Sequence, residues 1–309
     1  MATPVRRTRI VCISDTHNCT VKLPKGDVLI HAGDLTNQGS FSEISRAVKW
    51  LEQADFEAKI VIAGNHDITL DHDFHAQHGH TFHNNNGNPH SSAECLDLLS
   101  SSPSITYLNH ESATVRLSAT GHPHTQFTVF GSPYSPRYGQ WAFYYDEAAP
   151  AHQGDAPAPS TTIWDDIPPN TDIVVTHTPP RNHGDATTEQ RPKGCEALRR
   201  ALWCVQPRLA VCGHIHDGRG AHRIVWDTDP RSSVVGFAEK SVSVWTDPGA
   251  GNNKLSLVDL TARKGPSLAE HETCVVNAAI LRSRHPHEGG KQFNKPIVVD
   301  VDLPAGVAG

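Results

Sequence analysis

Five short apolar runs in this chain each end in residues that can hold a metal ion or move a proton. Residues 9–14 end in Asp15-Thr16-His17, and residues 27–32 end in Gly33-Asp34. Residues 59–63 end in Gly64-Asn65-His66-Asp67. Residues 172–176 end in His177, and residues 209–212 end in Gly213-His214-Ile215-His216. A single aspartate after a strand is usually a helix cap, and a single histidine is usually a structural residue. Five such clusters, all after runs that read as buried strands, point to one shared site at the carboxyl edge of a sheet. Gly64 reads as the residue that lets its strand stop and turn sharply.

The donor types point to metals. Asp15, His17, Asp34, Asn65, His177, His214 and His216 offer two carboxylates, one amide oxygen and four imidazoles, with no thiolate. That is more than one tetrahedral site takes. One aspartate bridging two ions turns the set into two four-ligand groups. Mixed imidazole and carboxylate donors suit Mn, Fe, Zn, Co or Ni better than Ca or Mg alone.

The elements that carry these clusters read as strand, strand, helix, strand. Ser40 and Glu43 form a capping box, and Phe41, Ile44, Val48 and Leu51 make one helical face. A short helix is expected over 94–99. Strands are expected over 105–108, 113–117 and 126–130, antiparallel or mixed rather than further βαβ units. Cys195, Leu198, Leu202 and Val205 mark another helix, closed by Pro207. Thr273 to Leu281 and Ile297 to Val301 read as late strands. His72, His75, His78, His80, His83 and His90 do not set a pair on one helical face with a carboxylate, so 71–90 reads as a solvated helix and loop near the site. Residues 148–162 read as a surface loop. The chain is expected to form one α/β domain over 1–309, with a loop and hairpin insertion at about 226–272. No internal repeat is evident.

Bulk properties narrow the class. The 309 residues are 37% hydrophobic and 19% charged, enough for a core. The net charge of -6 argues against stable nucleic-acid binding, which usually needs a basic stripe. The seven cysteines are odd in number and irregular in spacing, as reduced thiols would be. The start of the sequence has no apolar signal segment, and no run is long enough to span a membrane. A cytoplasmic protein without a membrane partner is expected.

The set Asp-x-His, Gly-Asp, Gly-Asn-His-Asp, His and Gly-His-x-His resembles the calcineurin-like metallophosphoesterase superfamily. It is closer to one branch, the animal and fungal metallophosphoesterase-domain proteins. Residues 59–66, 131–134, 176–180 and 213–220 resemble that branch's segments. The resemblance runs from Arg9 to Arg223 and resumes at Asn277-Ala278. It implies a four-layer αββα sandwich of two mixed β-sheets. It also implies that Asp15, His17 and His216 hold one metal, that Asn65, His177 and His214 hold a second, and that Asp34 bridges. His66 would face the substrate as phosphate binder or general acid, with Asp67 fixing its tautomer. Some animal members lack the first histidine of the last motif; here it is present as His214.

The resemblance therefore implies a dinuclear, metal-dependent phosphodiesterase, with two ions drawn from Mn, Fe or Zn. The expected substrates are small phosphodiesters, cyclic nucleotides among them, attacked in line by a hydroxide shared between the metals. Arg137, Tyr138, Trp141 and Arg181-Asn182-His183 stand where loops could line a pocket. A phosphomonoesterase or protein phosphatase with the same metals is the first alternative. It is weakened because protein phosphatases of the superfamily add an arginine next to the Asn-His motif, whereas here Asp67 follows His66, which is not that pattern. A non-catalytic nucleotide-binding scaffold is the second.

Overall fold

The computed structural model describes residues 4–83, 91–146, 162–187, 191–229, 237–263, 267–283 and 287–306. The expected polar loop ending at His90, and nearly all of the expected loop over 148–162, lie outside the described residues.

The first sheet is built from β1 (Val5–Ile13), β2 (Val28–Ala32), β3 (Ala58–Ile62) and β4 (Thr106–Tyr107), which run parallel to one another in that order. The second sheet draws on β5 (Glu111–Arg116), β6 (Gln126–Ser132), β9 (Ile173–Thr176) and β10 (Leu209–Cys212). A two-strand ribbon of β7 (Ser135–Pro136) and β8 (Tyr144–Tyr145) stands apart. Four later strands complete both sheets. β11 (Gly220–Asp227), β12 (Ala238–Val244) and β14 (Glu272–Asn277) join the second, while β13 (Ser256–Asp259) and β15 (Ile297–Pro304) join the first. Residues 226–272, expected as an inserted loop and hairpin, thus lend one strand to each sheet. Both sheets are mixed: β15 runs antiparallel to β1, and β11 antiparallel to β14.

The layers follow from strand alternation. In β1, Ile10 and Cys12 point to one side and Val11 and Ile13 to the other. Ile10 and Cys12 join Ile30, Ile60, Phe127, Val175 and Val211 in a core between the two sheets. Val11 and Ile13 instead pack with Ile44, Val48 and Leu51 of α1 (Phe41–Gln53), Phe74 of α2 (His72–Phe82) and Leu99 of α3 (Ser92–Ser100). On the far side, Val174, Ala210 and Val275 pack with Leu198 and Leu202 of α4 (Glu196–Val205). The order is helix, sheet, sheet, helix. Strands covered on both faces must be apolar at every position, which is why the runs read as continuous rather than alternating.

The expected helix boundaries hold well. α1 starts at the Ser40–Glu43 capping box. Cys195 is the N-cap of α4 and its first helical residue is Glu196. All seven cysteines are free thiols. No helix among the described residues is long and apolar enough to cross a membrane.

Candidate metal centre

The five polar clusters meet because their strands end at one edge. β1, β2 and β3 are parallel neighbours in the first sheet, and β9 and β10 are parallel neighbours in the second. The residues just past each end then face one another across the sandwich. The main-chain N–H of His214, from the second sheet, donates to both carboxylate oxygens of Asp15, from the first, at 3.1 Å each.

Turning these side chains inward requires unusual backbone. Asp15, His17, Asp34 and His214 have φ of 57°, 45°, 54° and 64°. This left-handed region is unfavourable for residues with a Cβ. The glycines have a different task. Gly64 does not take a positive φ, so the sharp turn does not explain it; a Cβ there would collide with Asp34 and with the His177 ring. A Cβ on Gly213 would strike Ser14 and the Asp15 carboxylate. Both are glycine because side chains converge on them.

The donors form overlapping groups. Asp15, His17 and His216 place one ligand atom each within 4.8 Å of one another, as do Asp15, Asp34 and His177. His17, Asp34 and His66 form a third such group. His216 Nε2 is 3.2 Å from Asp15 Oδ1, and His17 Nε2 is 3.6 Å from Asp34 Oδ2. His177 Nε2 is 3.0 Å from Asn65 Oδ1 and 3.2 Å from His214 Nδ1. Backbone carbonyls orient two of the rings. His17 Nδ1 bonds to Thr36 O at 3.1 Å and His177 Nδ1 to Ala32 O at 2.9 Å, leaving each Nε2 for the centre.

Charge is arranged for cations. Burial alone would raise the carboxyl of Asp34, but the charges of His177 and His66 hold it well below the usual range. Burial would likewise raise Asp15; the charge and hydrogen bond of His216 depress it instead. Burial would lower His177, yet Asp34 and Asp15 raise it to about 9. Asp15 also raises His216 against the effect of burial. Burial pushes His17 and His214 down to about 4. The proton on His177 and the upward shift of His216 both answer the two carboxylates. A metal ion would take over that role, and the neutral imidazoles of His17 and His214 are ready to ligate.

Asp67 departs from its expected role. Its two oxygens accept from Leu35 N, Thr36 N, Thr36 Oγ1 and Gly64 N at 3.2, 2.9, 2.7 and 2.9 Å. It clamps the β2 and β3 turns together and does not reach the His66 ring. Burial, reinforced by the charge of Asp34, raises its carboxyl to about 7. The group that fixes His66 is the main-chain carbonyl of Asn37, 2.8 Å from Nδ1. The His66 N–H donates to Asp34 Oδ1 at 2.9 Å, and its ring lies on Trp141 with centroids 4.0 Å apart.

Two cavities open on this centre. One of about 260 Å³ is lined by Asp34, Asn65, His214, Tyr138 and Tyr144 together with His66 and Trp141. A larger one, about 820 Å³, shares His17, His66, Trp141 and His216 with it. Of the loop residues expected in a pocket, Tyr138 and Trp141 are there. Arg137 is occupied by Asp146 at 2.5 Å and by the Tyr144 ring. Arg181 and Asn182 are exposed and line neither cavity. His183 is buried against Glu239 at 2.8 Å and His222 at 3.2 Å.

Sequence reading gave Asn277 no role. Its side-chain amide donates to Gly184 O at 2.7 Å and Ile215 O at 2.8 Å, and its carbonyl accepts from Ala279 N at 2.9 Å. It holds the turn that carries His214 and His216. The signal was available: β14 is a sixth apolar run with a polar residue at its carboxyl end. Lys291, which lines the larger cavity, was missed as well, and no local pattern marks it.

Residues 8–218 match the family model of the calcineurin-like phosphoesterases. The chain belongs to this family. It is 37% identical over 228 residues to metallophosphoesterase domain-containing protein 1 of Homo sapiens, and equally to that of Mus musculus; 70% of this chain and 63% of each relative are covered. A protein of Emericella nidulans described as probable rhamnogalacturonate lyase C is 41% identical over 226 residues, covering 72% of this chain and 18% of that protein. The chain thus spans less than two thirds of each of these relatives.

Proposed function

We propose that the protein is a dinuclear metal-dependent phosphodiesterase acting on small or nucleotide phosphodiesters. The observation that carries this reading is the shared position of Asp34. It joins His17 and His66 in one donor group and Asp15 and His177 in another. Asp15, His17 and His216 would hold one ion, Asn65, His177 and His214 the other, and Asp34 both. The donor set fits, since it offers carboxylate, amide and imidazole atoms in a water-accessible hollow with depressed carboxyl pKa values. The metals, drawn from Mn, Fe or Zn, supply charge to the phosphoryl oxygens and lower the pKa of the attacking water.

The chain's own residues do the rest. His66 stands where both cavities meet. Asn37 O accepts from its Nδ1–H, so it is the doubly protonated ring that presents Nε2–H to bind a phosphoryl oxygen or to give that proton to the leaving oxygen, ending as the neutral imidazole. Trp141 covers one face of the ring. A cytoplasmic location is part of this reading, supported by the seven free thiols.

The test is reconstitution with Mn, Fe, Zn, Co or Ni, with metal content measured beside hydrolysis of bis(4-nitrophenyl) phosphate and 4-nitrophenyl phosphate. Two ions per chain and faster diester cleavage are expected. A single ion, or cleavage of the monoester only, overturns the reading in favour of a mononuclear site or a phosphomonoesterase.

A further inference from the structure

The larger cavity has a cationic wall beside His17 that supplies no metal ligand. Lys291, from the segment between β14 and β15, lines it. Its ammonium donates to the main-chain oxygen of His17 at 2.8 Å and to Asn37 Oδ1 at 3.4 Å. Both acceptors are neutral, and among the described residues no carboxylate pairs with it. Two of its three donors are engaged, so one remains. Asn37 thereby connects two functions, because its main-chain oxygen holds the His66 ring while its side chain holds Lys291. Ser283 and His287, bonded to each other at 3.0 Å, add polar groups to the same wall. Asp217, which is exposed, is the one acid lining the cavity among the described residues.

The position of this wall is informative. Four residues line both hollows, so the two adjoin at His66, and only side chains stand between them. A phosphoryl group over the donors would send one ester substituent past those side chains. At about 820 Å³ the cavity lies within the range of pockets that hold whole ligands, far more than one phosphate needs. A lysine ammonium is a point charge suited to phosphate.

We propose that the larger cavity receives the leaving group and that Lys291 binds a second phosphate carried on it. The preferred substrates are then phosphodiesters with a further phosphate, such as phosphorylated dinucleotides. This rests on the phosphodiesterase reading above and narrows its substrate class.

The experiment compares ApA with its phosphorylated forms pApA and ApAp, in metal-loaded wild type, Lys291→Ala and Lys291→Arg. The readout is the ratio of kcat/KM with and without the extra phosphate. Damage to the metals or to the fold affects both substrates and leaves that ratio alone. A wild-type preference for a phosphorylated form, reduced about tenfold in Lys291→Ala and restored in Lys291→Arg, is expected for the loss of one charge-assisted contact. Adenosine 3′,5′-bisphosphate should also bind the metal-free wild type more tightly than metal-free Lys291→Ala by calorimetry. If both proteins cleave ApA and show the same ratio, the Lys291 proposal is wrong while the phosphodiesterase reading stands. If the loaded wild type cleaves bis(4-nitrophenyl) phosphate but none of the three, this proposal is wrong while the phosphodiesterase reading stands; if it cleaves no diester at all, both fall.

Discussion

His177 Nε2 lies 3.4 Å from Asp34 Oδ1, and the two residues belong to different sheets. His177 follows β9 in the second sheet and Asp34 follows β2 in the first. Each is fully or almost fully buried, and each shifts the other towards its charged form. The pair is the centre of the donor set. Asp34→Asn removes the shared carboxylate, so metal content and phosphodiester turnover are expected to fall together. The fall in turnover should exceed about a hundredfold, the upper end for partners that only orient a ligand. Elemental analysis and kinetics on one sample check it; full turnover with two ions bound would rule out a bridging role.

His66 and Asp67 are adjacent but should behave as opposites. His66→Ala leaves the seven expected ligands in place, so metal is retained while turnover drops by about 10²–10⁴-fold. Asp67→Asn strikes the clamp between the β2 and β3 turns. An amide nitrogen there faces backbone donors, at a cost of about 1–3 kcal/mol in stability. Thermal melts and metal analysis of the two variants distinguish a substrate-facing group from a clamp. An unchanged melt for Asp67→Asn would refute the clamp.

Asn277 should act on the metals without touching them. Asn277→Ala leaves the Gly184 carbonyl without its side-chain donor, removes one of the two donors to Ile215 O, the other being the Gly218 N–H, and loosens the turn bearing His214 and His216. The expected result is a loss of about 1–3 kcal/mol in stability, with weaker metal retention in a chelator competition. Metal retention equal to wild type would show that the turn holds itself.

Acid sensitivity should have a source remote from the metal centre. Burial would raise Glu239, but the hydrogen bonds of His183 and Arg199 bring it down to about 2. A carboxyl depressed in the folded state adds stability above its unfolded pKa and loses it as pH falls towards the folded value. This contribution is therefore complete above the ordinary glutamate range and disappears between there and about pH 2. Glu239→Gln should lower stability at neutral pH and flatten the loss in that acid window. Denaturant midpoints across pH 2–6 test it; parallel curves for the two proteins would be the contrary result.

Much of the site was readable because the fold is unusually plain in sequence. Buried parallel strands need uninterrupted apolar runs, so a polar residue directly after one stands out. Asp15, His17, Asp34, Asn65, His177, His214 and His216 all declare themselves in that way. The role of Asp67 was not readable, because adjacency to His66 says nothing about which way each side chain leaves the turn. Gly64 looked like a hinge, and only the approach of His177 from the other sheet reveals it as a gap. Lys291 lies 274 residues from the carbonyl it binds, with no periodic pattern between them. β12 is exposed along most of its length, so it lacks the apolar signature that marks the inner strands.

The left-handed backbone at Asp15, His17, Asp34 and His214 has a consequence for how this protein can change. Glycine adopts such angles freely, whereas side-chain-bearing residues are strained there by on the order of 1–3 kcal/mol apiece. Taken as backbone alone, each of the four turns would be better off without its side chain. At His17 and His214 a screen for thermal robustness alone would favour glycine and discard candidate ligands on the way, whereas at Asp15 and Asp34 the N–H groups of His214 and His66 would lose their acceptors and offset the relief. Any effort to harden this protein must hold these four residues fixed and seek its gains elsewhere.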